Sequence, residues 1–381
     1  MYYKNTECKI KYRLNLVIRV YGYEIDLYLP KFLKVLRAIT FSFSLLIWSV
    51  LSGQGQQFQI VSIGFYNLEN LFDTVDDPKI DDSEFLPDGK RAWTEEKYKE
   101  KLANMAYVIS QIGIEDAKAG LSVLGLSEIE NRKVLEDLVK EPAIASRNYR
   151  IIHYDSPDPR GVDVALLYNP SHFKYLESRA IPMYENRELS SRKTRDILHV
   201  KGMLGDDTIH IMVNHWPSRG GGEELTAPLR NHGAKHNRRV YDELLKIDPN
   251  VKFITMGDLN DDPINESVTG FLRAKSSAKK LRSGDLFNPF YDFYNRGQGS
   301  NAYRDSWSLF DQIIISEGLV NKKNPGFYYL KANIFNKKFL VQPSGQYKGY
   351  PFRTFSGDTY QGGYSDHFPT YILLVKPLPK D

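Results

Sequence analysis

Apolar and polar positions alternate in short blocks after Gln57, and the period changes from block to block. "FQIVSIGFY" (58–66) is β-branched and alternating, which predicts a strand. "TEEKYKEKLANMAYVISQIG" repeats its apolar positions every three to four residues, with Thr94 at the N-cap and Gly113 at the end, which predicts a helix. "LSVLGLSEIEN" reads as a buried strand and "NRKVLEDLVKE" as a short helix. Strand patterns follow at Tyr149–His153, Val162–Tyr168, Ile197–Met203 and Ile209–Val213. "APLRNHGAKHNRRVYDELLKI" predicts a second long helix and "VKFITMG" the strand after it; Phe310–Ile315 and Thr370–Val375 are the last strands. Two helical crossovers among hairpin-like pairs predict mixed sheets with helices outside. One domain from residue 58 to 381, without a linker-like break, accommodates them.

Residues 1–57 have a different pattern. In "PKFLKVLRAITFSFSLLIWSVLSGQGQQ", Lys31, Lys34 and Arg37 precede an apolar run over Ala38–Leu51, and small or polar residues follow to Gln57. That is the order of a secretory signal. The run falls short of the roughly 20 residues that span a bilayer. The expectation is an N-terminal extension plus a signal-like segment, hence a periplasmic or secreted protein. A membrane anchor formed by the same segment is the alternative. The single cysteine, Cys8, excludes an intrachain disulfide framework and a cysteine-based zinc site. Charge points the same way. Residues 1–53 hold eight of the 51 Lys/Arg and three of the 47 Asp/Glu, leaving 43 basic and 44 acidic residues. The near-neutral remainder lacks the basic excess of a duplex-binding domain.

Candidate chemistry sits at the strand ends. Asn67 and Asn70 end "FYNLEN", Glu128 ends "LSVLGLSE", Asn214 and His215 end "IHIMVNH", and Asp258 and Asn260 end "FITMGDLN". Asp311 lies in "LFDQIIIS", and Asp366 and His367 stand just before "FPTYILLV". Each residue alone also reads as a turn or cap residue. Strands lying side by side would gather these ends on one rim, where α/β sheets place their sites. Glu128 and Asn67 supply hard oxygen donors of the kind that suit Mg²⁺, with Mn²⁺ as an alternative. Two histidines with acids nearby suit acid–base work near neutral pH.

The ordered set "NLEN", "SEIE", "VNHWPS", "GDLN", "DQIIIS" and "SDHFP" resembles the endonuclease/exonuclease/phosphatase superfamily, the fold of pancreatic deoxyribonuclease. The resemblance spans nearly all of residues 58–381. "FYNLENLFD" and "NHWPSRGGG" are most similar to bacterial secreted or periplasmic members. It implies an α+β fold, a four-layer α/β sandwich of two mixed β-sheets packed face to face with helices on the outer faces. It implies a metal held by Asn67 and Glu128 with support from Asp366. Catalytic roles carry over to His215, Asp258, Asn260, Asp311 and His367, with Asp163 of "RGVDVALLY" as carboxylate partner of His215. Asn70, Arg160, Arg195, Arg219 and Tyr364 are candidate substrate contacts, and Arg353 of "PFRTF" lies near the last motif. The implied activity is metal-dependent phosphodiester hydrolysis, on nucleic acid first. A phosphatase or a phospholipid or sphingolipid phosphodiesterase is the alternative. No obligate protein partner is evident, and a monomer is expected.

Overall fold

The computed structural model describes residues 15–20, 23–28, 56–184, 193–279 and 281–379; the signal-like residues 31–55 lie outside them. In chain order the first elements are β1 (Phe58–Leu71), α1 (Glu95–Gln111), β2 (Leu121–Ile129), α2 (Arg132–Leu138), β3 (Arg150–His153) and β4 (Asp163–Tyr168). Then come β5 (Phe173–Ile181), β6 (Ile197–Leu204), β7 (Asp207–His215), α3 (Glu223–Leu245) and β8 (Lys252–Asp258). Short strands β9 (Ala274–Lys275), β10 (Leu286–Phe287), β11 (Asn301–Tyr303) and β12 (Ser306–Ser308) precede β13 (Asp311–Ser316), β14 (Tyr328–Ile334) and β15 (Thr370–Pro377).

Two crossovers organise the sheets. β1–α1–β2 makes a parallel pair at the heart of the first sheet, ordered β14-β15-β1-β2-β4-β3. β7–α3–β8 makes the equivalent pair in the second, ordered β9-β10-β13-β8-β7-β6-β5. The remaining pairings around each parallel pair are antiparallel, except β9 with β10. The sheets are mixed, as expected.

Period-two alternation sorts each central strand into two faces. Val61, Ile63 and Phe65 of β1 join Ile211, Val213, Ile254, Met256, Ile313 and Ile315 of the opposite sheet in one buried core between the sheets. Tyr66, Leu124 and Leu126 face the other way and pack with Leu102, Met105 and Ile109 of α1. Phe253 and Met212 pack with Val240 and Tyr241 of α3. The result is helix, sheet, sheet, helix. Gly125 faces Met256 across the inter-sheet core, where an added Cβ would lie 2.9 Å from Met256 Cε.

Three differences from the sequence pattern have plain causes. β5 and β14 are edge strands, exposed or half-buried over most of their length, so they carry no apolar alternation to read. α3 begins at Glu223 rather than Ala227, with Pro228 inside its second turn. Residues 15–20 and 23–28 form an antiparallel hairpin within a separate unit of residues 1–57 and 378–381. No helix among the described residues is long and apolar enough to cross a membrane.

Candidate active site

The inner-face alternation that builds the core also builds the site. Ile63 and Phe65 are followed two residues on by Asn67; Ile211 and Val213 by His215; Ile254 and Met256 by Asp258. On β13, which runs antiparallel to β8, Asp311 precedes Ile313 and Ile315, and it pairs directly with Asp258. Four strands thus replace an apolar side chain by a polar one at the last inner position. All four polar residues are buried.

Glu128 reaches the rim differently. Straight alternation would place it beside Leu124 and Leu126, against α1. The β2–β4 register shifts between Ser127 and Ile129, and the β1–β2 register shifts between Asn67 and Leu71. These bulges re-aim the side chain. Glu69, Asn70, Glu128 and Asn260 all hold left-handed φ angles of 48–59°. Four such non-glycine residues at three neighbouring strand ends mark a backbone bent for placement of side chains.

The centre is closely connected. Asn67 Nδ2 donates to Glu128 Oε1 and to Asp258 Oδ2, each at 3.1 Å, and so links the two sheets. The Asn70 N–H donates to Glu128 Oε2 at 3.1 Å. His215 Nε2 stands 3.8 Å from Glu128 Oε1 and 3.6 Å from Asp258 Oδ2. His367 Nδ1 donates to Asp311 Oδ2 at 2.6 Å, and its Nε2 lies 3.9 Å from Asp258 and from Asp366. Ser365 Oγ donates to the Asn67 carbonyl at 2.7 Å and accepts the His367 N–H at 3.1 Å.

Electrostatics divides the two histidines. Burial holds His215 well below the ordinary imidazole range, reinforced by Arg195 and Arg160, so it stays neutral. Burial also opposes charge on His367, but Asp311, Asp366 and Asp258 outweigh it and hold its pKa well above the ordinary value. Burial pushes the Asp258 carboxyl up to about 7; Asp311 and Glu128 add to this, against His367 and the Asn260 N–H. A rim that crowds Glu128, Asp258 and Asp311 calls for positive charge.

The donor set fits a hard divalent cation. Glu128, His215 and Asp258 bring three ligand atoms within 4.8 Å of one another; Asp258, Asp311 and His367 cluster as closely, but a charged His367 has no lone pair to offer a metal. Carboxylate oxygens dominate, and Glu128 keeps an edge open to solvent. Asn67 turns its Nδ2 toward the carboxylates, while Oδ1 accepts the Glu69 N–H at 2.9 Å.

Other expected contacts are placed elsewhere. Asp163 pairs with His153 Nε2 at 2.9 Å and the Ser156 N–H at 2.8 Å, not with His215. Arg195 is buried between Asp158 Oδ2 (3.1 Å) and the Trp216 carbonyl (2.8 Å), and Arg160 is also bound to Asp158. Arg219 is spent on the Asn260 carbonyl, Asp261, Asp262 and Glu223, so Asp261 and Asp262 of "GDLNDDP" are structural acids. Asn260 donates its amide to the Trp216 carbonyl at 2.9 Å and so positions the His215–Trp216 segment. The Tyr364 ring packs against Phe339 and Phe352. Asp366 stands beside His367, 3.8 Å from Arg353.

A buried support escaped the sequence reading. Lys101 of α1 binds Thr354 Oγ1 and the Tyr364 carbonyl, while Glu69 accepts the N–H groups of Thr354 (2.7 Å) and Phe355 (3.3 Å). Together they hold the segment that leads to Asp366. The signal was available: Lys101 falls on the same helix face as Tyr98, Leu102 and Met105.

Two facing mixed sheets thus carry an acid–imidazole rim at the ends of their central strands. A model of the Endonuclease/Exonuclease/phosphatase family matches residues 62–376, and the chain belongs to this family, whose members generally use a divalent metal. The fold is similar to that of a mannosyl-6-phosphatase from Bacteroides thetaiotaomicron VPI-5482, at 16% identity over 82% of this chain and 99% of that one, TM-score 0.51. It is also similar to an endonuclease/exonuclease/phosphatase family protein from Bacteroides thetaiotaomicron (16%, 85% and 100%, TM-score 0.50). Truncated Caenorhabditis elegans TDP2 gives 13%, 83% and 97%, TM-score 0.50. At these identities the likeness is one of fold. No curated protein matches the chain.

Metal binding has a readout besides turnover. Mg²⁺ or Mn²⁺ should raise the Tm of the wild type, because a bound cation relieves the repulsion among Glu128, Asp258 and Asp311. Glu128→Gln keeps shape and removes one charge. It should need about tenfold or more metal for the same rise in Tm, with activity lost at low Mg²⁺ and partly restored at high Mg²⁺. A wild-type metal response in the variant would remove Glu128 from the site.

Proposed function

We propose that the protein is an exported, divalent-metal-dependent phosphodiesterase that acts on nucleic acid. The observation that carries this reading is the position of Asp258, a buried carboxylate between a neutral-held His215 and a charge-held His367. Such a trio can move a proton and meet developing negative charge in one step.

Asp258 is the base. The Asn260 N–H holds its Oδ1 at 2.9 Å and Asn67 Nδ2 holds Oδ2 at 3.1 Å, so the remaining lone pair of Oδ2, between His215 and His367, takes the proton of the attacking water. His367 is fixed through Nδ1 by Asp311, so it presents Nε2 to a phosphoryl oxygen as a charged donor. His215 offers Nε2 to the phosphoryl or leaving oxygen. The water oxygen bonds to phosphorus as the P–O bond to the leaving group breaks, and Asp258 takes the proton. A cation held by Glu128, with Asp258 nearby, would polarise the phosphoryl group and offset charge on the leaving oxygen.

Charge narrows the substrate. The chain from residue 54 is near neutral, and Arg195 and Arg219 are occupied by acids and carbonyls. This supports a short or single-stranded substrate over a duplex, whose binding draws on a basic surface. The mannosyl-6-phosphatase that shares the fold makes a sugar phosphate the competing substrate. Export rests on the basic, apolar, small-residue order of residues 31–57. N-terminal sequencing of protein made in a bacterial host should find a mature chain starting near Gln54–Gln57. An intact N-terminus in the cytosol contradicts export.

The test of function is a panel of single-stranded and duplex DNA, RNA, mannose 6-phosphate, an inositol phosphate and sphingomyelin, with Mg²⁺, Mn²⁺ or a chelator. Hydrolysis of the nucleic acids, abolished by the chelator, is expected. Hydrolysis of only a sugar phosphate or a lipid overturns the reading. On the preferred substrate Asp258→Asn should lower kcat by about 10²–10⁴-fold with little change in KM. A loss within about threefold would be too small for a missing base.

A further inference from the structure

A cavity of about 320 Å³ opens between the β11–β12 hairpin and residues 346–353. Its lining includes Tyr303, Arg304, Gln346, Tyr347, Tyr350 and Arg353. Rings and guanidinium groups dominate. Tyr303 is 68% exposed and Tyr347 37%, so both rings are open to an incoming molecule. The Arg304 guanidinium lies 5.2 Å from the Tyr303 ring centre, and Arg353 lies 5.9 Å from that of Tyr347.

This cavity is built into the fold. Tyr350 Oη donates to Asp305 Oδ1 and accepts the Asp305 N–H, both at 2.6 Å, which ties the two walls together. Arg304 and Asp305 form the two-residue hairpin turn with φ angles of 49° and 61°. Left-handed backbone at two non-glycine residues is costly, and it holds Arg304 at the hairpin tip.

The cavity adjoins the catalytic rim. Asn301 Nδ2 donates to the Asp366 carbonyl at 2.9 Å, and the Phe368 N–H donates to the Ser300 carbonyl at 2.7 Å. Trp307 stacks on Phe368 with ring centres 5.9 Å apart. The hairpin is therefore fastened to the segment that carries Asp366 and His367. Arg353 joins the two spaces. Its Nη2 is 3.8 Å from Asp366 Oδ2, and its buried Nε has no hydrogen-bond partner among the described residues. A buried guanidinium N–H without an acceptor is unfavourable until an anion supplies one.

We propose that this cavity receives one unpaired nucleobase next to the scissile phosphate, with Tyr303 and Tyr347 as stacking surfaces and Arg353 on the adjoining phosphate. The proposal rests on the nucleic-acid reading of the site. Volume favours a single base: about 320 Å³ is at the small end of ligand cavities, roughly 300–1,000 Å³. A base in a duplex is paired and stacked, so it cannot enter. Tyrosine faces also stack on sugars, but the flanking guanidinium groups match a flat, anionic nucleotide.

The test compares a single-stranded oligonucleotide with an abasic oligonucleotide of the same length, using the full domain and Mg²⁺. Wild type should prefer the base-containing strand in kcat/KM. The Tyr303→Ala, Tyr347→Ala double variant should lose about tenfold to a hundredfold of that preference, mainly through KM, as expected for lost base stacking. The Tyr303→Phe, Tyr347→Phe variant keeps the rings and should keep the preference; an unchanged Tm in both variants confirms intact folding. An unchanged preference in the alanine variant, with both strands cleaved, overturns the base pocket and leaves the nuclease reading standing. Cleavage of neither strand, with mannose 6-phosphate hydrolysed, overturns both.

Discussion

One amide holds the site together. Asn67 Nδ2 is shared between Glu128 in its own sheet and Asp258 in the facing sheet. The core between the sheets is apolar and non-directional, so this bond, with the one from His367 to Asp311, ties the two rims in register. Ser365 grips the Asn67 carbonyl and the His367 N–H, which carries the same order to the last strand. His367 then reaches Asp311, which pairs with Asp258 across β8 and β13. The loop closes on the carboxylate where it began.

Such closure crowds acids in a buried place. Asp258 has Asp311 and Glu128 as neighbours, and burial with these two acids raises its pKa to about 7. The answer at this rim is to supply positive charge from several sides: the Asn67 amide, the His367 imidazolium and the divalent cation that members of the family generally use. Burial keeps His215 neutral, reinforced by Arg195 and Arg160. Both histidines are buried; the surrounding charges set the opposite protonation states that acid–base work requires.

Much of this was legible in the chain because the core and the site share one period. Where Ile63 and Phe65 predict an inward Asn67, or Ile254 and Met256 an inward Asp258, alternation alone places the polar residue on the inner face. Glu128 was legible only as a strand-ending acid, since bulges and a left-handed backbone, not alternation, turn it to the rim. Asp163 was misread because its neighbour, His153, is separated from it by a loop with no periodic signal. Arg195 and Arg219 looked like free cations in sequence; their acid and carbonyl partners come from other segments. Lys101 was overlooked as an ordinary helix lysine, although its place on the buried face of α1 was readable. Edge strands β5 and β14 left no pattern because exposure places no demand on alternate residues.

The central claim is that the strand ends of two sheets converge to hold one catalytic cation. A crystal of the domain grown with Mn²⁺ tests it directly through anomalous scattering. The account predicts a peak in the cleft at the Glu128 carboxylate, within the group formed by Asn67, His215 and Asp258. A peak at His153, Asp155 and Asp163 instead, or none at millimolar Mn²⁺, would contradict it.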